Sequence, residues 1–547
     1  MRRRNSSANA RTSSRTATVG CGNRHRWGSP AVGQKRLVSS IPRRRVLVPV
    51  CLGLVLLMSF VWVTHRSSKT SRGNPTWWWR LSSSETKAFS SSTPLPHPTL
   101  TPALDQLNAA ESQAAPSDLS LSTTSAPTAM SDIASSLHRV VIIGSGLAGQ
   151  CAAIEAARHG AKEVVIIEKE TRLGGNSAKA TSGINAWGTA VQKAAGVHDS
   201  GELFEKDTFA SGKGGSCQPE LVRTLSDHSA EAIEWLSSFG IPLTALTQLG
   251  GASRKRCHRA PDNPDGTPLP IGFTIVRALE NYIRTNLSDI VRIETNARLI
   301  SLMHSKEDDA VVVQGITYAT QTASGEGKIR KLQARAVILA TGGFSNDHTA
   351  NSLLQQYAPQ LSSFPTTNGV WATGDGVKAA RELGVELVDM DKVQLHPTGL
   401  LDPKDPSNRT KYLGPEALRG SGGVLLNKNG ERFVNELDLR SVVSQAIIEQ
   451  NNVYPGSGGS KFAYCVLNEA AAKLFGKNFL GFYWHRLGLF EKVEDVAGLA
   501  KLIGCPEENV TATLKEYKEL SSKKLHACPL TNKNVFPCTL GTEGPTT

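Results

Sequence analysis

Two apolar runs with a small-residue segment between them form the clearest pattern of the chain. Residues 140–143 are Val-Val-Ile-Ile without polar alternation, which predicts a parallel strand buried on both faces. The Ala-rich stretch 147–159 stops at Gly160 and predicts a helix that ends at a glycine. Residues 164–167 repeat Val-Val-Ile-Ile and predict the second strand. The order strand, helix, strand indicates an α/β fold with a parallel sheet.

The apolar spacing changes further along the chain. Residues 219–240 carry leucine and isoleucine at roughly helical spacing and predict a packing helix. Residues 291–338 predict short strands around a polar hairpin, for example at 310–315. Residues 336–340, Ala-Val-Ile-Leu-Ala, predict another buried strand, and a Thr-Gly-Gly turn follows it.

The turn after the first strand has the spacing of a dinucleotide-binding motif. Gly144, Gly146 and Gly149 form G-x-G-x-x-G between the predicted strand and helix. Backbone N–H groups at such a helix N-terminus hold a pyrophosphate, and an acid about 20 residues on accepts from ribose hydroxyls. Glu168 ends the second strand at that distance. The motif in this setting predicts a bound dinucleotide.

The segments after Glu168 decide which dinucleotide is expected. Residues 174–177 (GGNS) and 182–186 (SGINA) resemble the flavoprotein subunit of the fumarate reductase and succinate dehydrogenase superfamily, in particular its soluble single-chain fumarate reductases. The resemblance implies FAD. Quinone-linked members carry a flavin-bonded histidine in this loop, and Ser177 aligns with it, so the resemblance implies non-covalent FAD. The Thr341 turn and the turn at 373–376 (TGDG) resemble the later flavin contacts.

The resemblance implies an architecture and a set of cofactor contacts. A Rossmann-like FAD-binding domain spans 138–390, an inserted α+β capping domain spans 391–530, and 531–547 begins a return to the first domain. The implied cofactor-binding residues are Gly144, Gly146, Leu147, Ala148, Gly149, Glu168, Lys169, Gly174, Gly175, Asn176, Ser177, Ser182, Gly183, Thr341, Gly342, Gly343, Thr373, Gly374 and Asp375.

Four further residues match the family's chemistry. His396 lies in an HPTG segment and matches a donor to a substrate carboxylate. Glu416 and Arg419, three apart on a predicted helical turn, ordinarily make a surface ion pair, but the resemblance makes them a proton relay. Arg440, in NELDLR, matches the catalytic arginine. The implied reaction is hydride transfer from reduced FAD to fumarate, with a proton from Arg440, giving succinate.

The sequence departs from the family in two places. Pro415 stands where some relatives carry a hydroxyl side chain. The family continues with a His-Tyr/Thr-Met-Gly-Gly segment and a second substrate-binding arginine, which are absent before Thr547. Two alternatives therefore stay open, namely oxidoreduction of another activated alkene (a ketosteroid, urocanate or aspartate type) and a truncated, inactive flavoprotein.

The net charge of +13 invites a nucleic-acid partner, but its position excludes that interpretation. Residues 1–84 contain 16 of the 61 Lys and Arg and none of the 48 Asp and Glu, which leaves 45 against 48, or −3, for the rest. The globular part is near neutral, so the basic charge belongs to the N-terminal leader and not to a nucleic-acid surface.

The leader predicts membrane attachment. A basic Ser/Arg-rich segment, 1–45, precedes 18 uncharged residues, 46–63, which are long enough for a single-pass transmembrane anchor. The positive-inside rule keeps the N-terminus cytosolic or in the matrix. A disordered Ser/Thr/Pro linker, 64–137, follows, in which 77–79 (Trp-Trp-Trp) is either a contact with the membrane interface or a segment without a role. An organelle transit peptide is the rival, and the expected location is the endoplasmic reticulum or the mitochondrion.

The nine cysteines carry no C-x-x-C spacing, which predicts no metal site, haem or iron–sulfur cluster. Electrons must then come from an external donor. Cys528 and Cys538 are candidates for a disulfide in an oxidising compartment. The basic cluster 254–259 is either a solvated face or a contact to a phosphate or carboxylate.

Overall fold

The computed structural model describes residues 78–80, 138–212, 217–249, 251–264, 269–307, 310–321, 327–522 and 528–540. The strands are Trp78–Arg80 (β1), Arg139–Ile143 (β2), Glu163–Ile167 (β3), Ile184–Asn185 (β4), Ala245–Thr247 (β5), Cys257–Arg259 (β6), Val291–Glu294 (β7), Ala297–Glu307 (β8), Ala310–Gln321 (β9), Gly327–Gln333 (β10), Ala336–Leu339 (β11), Gly399–Leu400 (β12), Tyr412–Leu413 (β13), Val424–Leu426 (β14), Tyr464–Val466 (β15) and Glu491–Val493 (β16).

The described helices are Leu147–Arg158 (α1), Ala190–Ala194 (α2), Gly201–Ser211 (α3), Pro219–Ser237 (α4), Ile271–Asn286 (α5), Leu353–Tyr357 (α6), Asp375–Glu382 (α7), Ala417–Gly420 (α8), Arg440–Glu449 (α9), Glu469–Phe475 (α10), Lys477–Gly481 (α11), Val496–Ile503 (α12) and Glu507–Ser522 (α13). Short 3₁₀ turns span Gly175–Lys179 and Pro359–Leu361, and a π-helical turn spans Phe482–Arg486. The predicted strand, helix, strand unit is confirmed as β2, α1 and β3, and the predicted packing helix is α4.

A four-stranded parallel sheet in the order β11-β2-β3-β7 carries the first core. Its two faces are covered by different elements because alternate side chains of a strand point to opposite faces. Ile142 and Ile166 pack with residues of α1, α4 and α5 on one face. Val141 and Val165 pack on the other face with the antiparallel meander β10-β9-β8 and with α7. The sheet's carboxyl edge is thereby left for the loops that follow β2, β3 and β11.

Strand β11 differs from its prediction. It forms as expected, but it is not buried, since Ile338 is 36% and Leu339 is 39% exposed. The reason is its place at the edge of the sheet, with β2 as its only neighbour in that sheet among the described residues. An unalternated apolar run predicts a strand covered on both faces, and here only the pairing part of that prediction is correct.

The region after residue 398 has its own apolar clusters. One joins α8, α9, α10 and α11 with strands β14 and β15, and a second joins β14, β15 and β16 with α12 and α13. This region thus combines helices with antiparallel strand pairs, and its assignment to a capping domain stays a prediction. Residues 391–398, which include His396, contain no regular strand.

None of the described helices is long and apolar enough to cross a membrane. The predicted basic leader (1–45) and the predicted anchor (46–63) lie outside the described residues, as does the predicted linker (64–137) apart from β1. The backbone of β1 pairs antiparallel with β16.

Candidate active site

A cleft of about 780 Å³ opens where β2, β3 and β11 end. Because parallel strands present their carboxyl ends at one edge, the loops after them converge there, and this edge is where α/β sheets bind ligands. Most of the predicted cofactor residues line this cleft: Gly144, Gly146, Leu147, Ala148, Glu168, Lys169, Gly175, Asn176, Ser177, Ser182, Gly183, Thr341, Gly342, Gly343 and Asp375. His396, Glu416 and Arg440 line it as well.

The glycines around the cleft have two structural roles: some allow close packing, and others leave the backbone accessible from the cleft. Gly144 has φ +98°, and a Cβ there would lie 2.5 Å from the carbonyl oxygen of Ala340. A Cβ on Gly149 would lie 1.9 Å from the carbonyl oxygen of Gly144, so this glycine lets α1 approach the strand. Added Cβ atoms on Gly342 and Gly343 would meet no atom within 4 Å. These two glycines leave backbone open to the cleft.

Five predicted site residues do not line the cleft, namely Gly149, Gly174, Thr373, Gly374 and Arg419. A Cβ on Gly174 would meet Val276 Cγ1 at 2.8 Å, and one on Gly374 would meet Leu353 Cδ1 at 2.5 Å. Both glycines therefore allow close packing behind the wall. Sequence spacing identified the right turns, but it could not tell which glycine of a turn faces the ligand.

The carboxylate of Glu168 is already well occupied. Its Oε2 accepts from the backbone N–H (3.0 Å) and the hydroxyl (2.5 Å) of Ser145, and its Oε1 accepts from the N–H of Glu170 (2.9 Å). An ionised carboxylate offers about four acceptor positions, so capacity for one more donor remains. Glu168 thus holds the glycine turn in shape in addition to lining the cleft.

Lys169 and Asp375, predicted as separate cofactor contacts, lie against each other. Lys169 Nζ donates to Asp375 Oδ2 (2.9 Å) and to Thr373 Oγ1 (2.7 Å), and Arg298 Nε donates to Asp375 Oδ2 (3.3 Å). Burial raises the pKa of Asp375, but the charges of Lys169 and Arg298 outweigh it, so the net shift is downward. This charged group ties β3, β8 and α7 together beside the cleft.

The loop after β3 is fixed by polar contacts from both sides. Ser177 Oγ accepts from the N–H of Leu147 at the start of α1 (3.1 Å). Asn176 donates to Asn368 Oδ1 (2.7 Å) and accepts from the N–H of Gly369 (3.0 Å). Asn368 also lines the cleft but was not predicted, and its only sequence signal is its place shortly before the TGDG turn.

Arg440 and Glu416 form an ion pair at the far end of the cleft. Arg440 Nη2 and Nε lie 3.1 and 3.3 Å from Glu416 Oε2, and Arg440 Nη1 donates to Gln394 Oε1 (3.0 Å). Arg440 is the first residue of α9, and Glu416 directly precedes α8. Two short helices thus present opposite charges to the same end of the cleft.

Arg419 lies behind this pair and is only 1% exposed. Its Nη1 donates to the backbone carbonyl of Glu436, while Nε and Nη2 have no hydrogen-bond partner within the described residues. Among the described residues Glu416 forms an ion pair with Arg440 and none with Arg419. Burial lowers the pKa of Arg419, and the nearby Glu416 opposes that effect.

A buried charge cluster next to Arg419 escaped sequence reasoning. The side chain of Glu436 is fully buried and binds Arg432 through two hydrogen bonds (2.8 and 2.9 Å) and Lys533 Nζ at 2.7 Å. Glu436 stands four residues before Arg440, but Lys533 is 97 residues away from it in sequence. No pattern of neighbouring residues predicts an ion-pair partner at that distance along the sequence.

His396 lines the cleft in its neutral form. Burial, together with the charges of Arg440 and Arg419, lowers its pKa to about 3. The N–H of Thr398 donates to His396 Nδ1 (3.3 Å), which assigns the ring proton to Nε2. Thr398 Oγ1, whose own proton goes to the carbonyl oxygen of Gly414 (2.7 Å), lies 3.1 Å from the same nitrogen.

The structure decides two questions that the sequence left open, namely the contacts of Arg256 in the basic cluster and the pairing of Cys528 with Cys538. Arg256, in the basic cluster, binds both oxygens of Asp199 (2.8 and 3.0 Å) and Asp207 Oδ2 (2.6 Å), so its carboxylate contacts are internal. Cys528 and Cys538 are free thiols, so the possible disulfide is not formed. Neither feature belongs to the cleft.

Comparison with known proteins assigns the family. Residues 139–544 match the FAD binding domain family. A fumarate reductase of Schizosaccharomyces pombe is 37% identical over 388 residues, 71% of each chain. The chain belongs to the fumarate reductase family of FAD-binding flavoproteins. Fumarate reductase 1 of Saccharomyces cerevisiae is 42% identical over 317 residues, which cover 57% of this chain and 64% of that relative.

The fold of this flavoprotein agrees with a solved structure. A flavocytochrome c3 fumarate reductase in an open conformation superposes with a TM-score of 0.55 at 27% identity, covering 77% of this chain and 68% of the other. FAD is therefore the cofactor. The cleft fits it, since a buried indole nitrogen, Trp371 Nε1, has no partner among the described residues, and the first-turn N–H groups of α1 have no intrahelical acceptor.

Proposed function

We propose that this flavoprotein reduces fumarate to succinate. The observation that carries the proposal is the Arg440–Glu416 ion pair, which lines the same glycine-rich cleft as neutral His396. A guanidinium and an imidazole N–H suit a dicarboxylate whose negative charge grows in the transition state. Both yeast relatives are fumarate reductases, which supports the same choice.

FAD held against the glycine turns, Asn176 and Ser177 of the cleft would, in its reduced form, supply a hydride for one alkene carbon of fumarate. Arg440 then gives a proton to the other carbon. Free arginine is a poor acid, with a pKa above about 12, so its proton loss must coincide with growth of carbanion charge on the substrate. Glu416, whose Oε2 lies 3.1 Å from Arg440 Nη2, takes a proton from the guanidinium of buried Arg419 and passes it to Arg440, and solvent restores the proton of Arg419. Among the described residues Glu416 pairs with Arg440 alone, so this relay requires Glu416 to move toward Arg419.

His396 is assigned to orient the substrate. Its proton on Nε2 is available to a carboxylate oxygen, while the N–H of Thr398 holds Nδ1. A neutral imidazole donates this hydrogen bond without adding a titrating charge near pH 7, and the two guanidinium groups beside it keep it neutral. His396 thus acts in positioning, and Arg440 in proton transfer.

The FAD is proposed to be non-covalently bound. Ser177, which aligns with the flavin-bonded histidine of quinone-linked members, instead caps the N–H of Leu147 at 3.1 Å. Acid precipitation should therefore release all flavin into the supernatant. The cofactor residues are assigned to an FAD-binding domain of 138–390 and the catalytic pair to a capping domain of 391–530, with electrons from an external donor.

A membrane anchor at 46–63 is part of the same proposal. Its support is the 18-residue uncharged run preceded by 12 basic residues, which places the N-terminus on the cytosolic or matrix side and the flavoprotein on the other side. The proposed location is the membrane of the endoplasmic reticulum or of the mitochondrion.

The decisive test is anaerobic reoxidation. Dithionite-reduced protein should regain its oxidised flavin spectrum when fumarate is added and form one succinate per flavin. Arg440→Gln should bind FAD normally. Its rate of flavin reoxidation by fumarate should fall at least about 10²–10⁴-fold, since a positioned general acid is removed. Arg277→Gln, on the exposed face of α5, is the matched control. An Arg440→Gln protein with near wild-type turnover would eliminate the proposed proton donor.

A further inference from the structure

A second cavity of about 750 Å³ lies beside the flavin cleft. The 3₁₀ turn Gly175–Lys179 and the loop before Trp371 bound it on one side, and β13 and the π-helical turn bound it on the other. It shares Asn176, Asn368 and Leu413 with the cleft. The hydrogen bond from Asn176 Nδ2 to Asn368 Oδ1 (2.7 Å) lies in the partition between the two spaces.

The wall of this cavity contains a buried lysine that makes no ion pair within 4 Å among the described residues. Lys411 is only 6% exposed, and its Nζ donates to the carbonyl oxygen of Pro406 (2.7 Å). No carboxylate of the described residues lies within 4 Å of that nitrogen, although an ammonium group has three protons to donate. A buried charge without a partner is costly to a fold. Burial lowers the pKa of Lys411, and the charges of Asp405 and Asp402 oppose this shift without reversing it.

Two more cations line the same space. Lys179 Nζ donates to the carbonyl oxygen of Thr367 (2.8 Å) and lies 6.0 Å from the centre of the Trp371 ring, again with no carboxylate within 4 Å in the described part of the chain. Burial lowers its pKa as well. Arg486, at the end of the π-helical turn, is exposed and makes no hydrogen bond to the described residues. The cavity therefore presents three cationic side chains with unused donors.

The acids of the cavity do not neutralise these cations by contact. Asp402 Oδ1 accepts from the N–H of Lys404 (2.9 Å). Asp405 accepts from Ser407 Oγ (3.2 Å) and Asn408 Nδ2 (3.0 Å). Both carboxylates thus stabilise turns of their own loop. An anion inside the cavity would meet donors of Lys179, Lys411 and Arg486 that the protein itself leaves unpaired.

We propose that this cavity is a second binding site for a small dicarboxylate, held by Lys411, Lys179 and Arg486 next to the flavin cleft. Two ammonium groups and one guanidinium suit a ligand with two carboxylates, and the shared wall places it beside the reacting substrate. The choice of a dicarboxylate over other small anions rests on the proposed function. The site holds a further substrate or product molecule while the cleft is occupied.

The test is the stoichiometry of binding to the oxidised full-chain holoprotein. Equilibrium dialysis with radiolabelled succinate should give two molecules per chain for the wild type and one for Lys411→Met. Lys404→Met, an exposed lysine of the same loop that does not line the cavity, should keep two. Replacing an unpaired buried charge by an apolar side chain of similar volume is often neutral or stabilising, so Lys411→Met is expected to fold.

Lys179→Met provides a second variant from the other side of the cavity and should also bind one succinate. Equal stoichiometry in the wild type and both variants would overturn the site, as would displacement of the second succinate by an equal concentration of inorganic phosphate. Fumarate turnover separates the two proposals. If the protein turns over fumarate but binds a single succinate, only the second site is contradicted. If it binds a second succinate that Lys411→Met removes but does not turn over fumarate, only the proposed reaction is contradicted.

Discussion

At the scale of single residues, the glycines around the cleft fall into two groups. At some an added Cβ would meet backbone atoms, and at others it would meet open space. A side chain at Gly144 meets backbone at 2.5 Å and demands a positive φ, whereas one at Gly343 meets no atom within 4 Å. Both line the cleft. The same Gly→Ala change therefore acts on folding in one case and on the ligand in the other.

Gly144→Ala should reduce the stability of the protein even without flavin, because backbone atoms must shift and alanine disfavours φ +98°. Gly343→Ala should leave the flavin-free protein as stable as the wild type but weaken FAD binding, since its Cβ projects into the cleft. Urea unfolding of flavin-free protein and flavin fluorescence titration separate the effects. Equal flavin affinity of Gly343→Ala and wild type would show that this backbone does not contact the cofactor.

His396 should make stability depend on pH. Its pKa of about 3 in the folded protein lies below the ordinary 6.5, so only the unfolded chain takes up this proton between those values. The contribution to the free energy of unfolding is complete above pH 6.5 and is lost as the pH falls toward 3, at about 1.4 kcal/mol per pH unit. Urea unfolding at pH 7.5 and 5.5 measures it.

His396→Gln should lose less stability than the wild type between these two pH values. His228→Gln, whose imidazole is 50% exposed on α4, is the control and should follow the wild type. An unchanged pH dependence in His396→Gln would mean that His396 titrates normally in the folded protein.

At the scale of elements, the Glu436 cluster joins parts of the capping region that are distant in sequence. It links the loop before α9, the segment 528–540 and α13, where Tyr517 lies under the guanidinium of Arg432 (4.9 Å to the ring centre). The backbone carbonyl of the same glutamate accepts from Arg419. One carboxylate thus holds the loop that leads to Arg440 and the helix that carries Arg419.

Glu436→Gln should destabilise the protein by about 3–5 kcal/mol, because removal of one partner leaves Arg432 and Lys533 buried without a counter-ion. Glu449→Gln, at the exposed end of α9, should change stability by less than about 0.5 kcal/mol. Adding Lys533→Met to Glu436→Gln should cost less than the sum of the single changes, since one unpaired charge is then removed. Strict additivity in urea unfolding would exclude the coupling.

At the scale of the whole molecule, charge and apolar length separate an N-terminal leader from the flavoprotein. Residues 1–84 contain 16 basic and no acidic residues, whereas the rest of the chain contains 45 basic and 48 acidic residues. The net charges of the two parts therefore have opposite signs. Only the leader carries an uncharged run of 18 residues ahead of the globular part. The proposed attachment to a membrane therefore rests on the leader alone.

The full chain should remain in the membrane pellet after alkaline carbonate extraction, because the apolar run at 46–63 is held by the bilayer. Replacing Leu54 and Leu57 with arginine should release the protein into the supernatant, since a charge at mid-bilayer costs at least about 2.5–3.5 kcal/mol. Replacing two leader arginines, Arg11 and Arg15, with serine leaves the run intact and should not release it. Wild-type protein in the carbonate supernatant would contradict the anchor.

Local pattern was sufficient for the nucleotide-binding unit. β2, α1, β3 and the glycine turn were predicted within one residue, because backbone sterics and burial periodicity act over a few neighbouring positions. The exposure of β11 was not predictable, because burial depends on what covers a strand and not on the strand itself. The same limit applies to Gly174 and Gly374, which pack behind the wall that their motifs seemed to form.

The sequence by itself determined the family and the cofactor, and it predicted His396, Glu416 and Arg440, which line the cleft, since these depend on motifs of a few adjacent residues. Only the tertiary structure decided how those residues pair: Arg440 with Glu416, Arg419 with the carbonyl of Glu436, and Lys169 with Asp375. The lack of an ion pair at Lys411 among the described residues was likewise not predictable from the sequence. The reason is physical, because a charged side chain is stabilised by the nearest opposite charge in space, and folding brings Lys169 and Asp375 together although they are 206 residues apart in sequence.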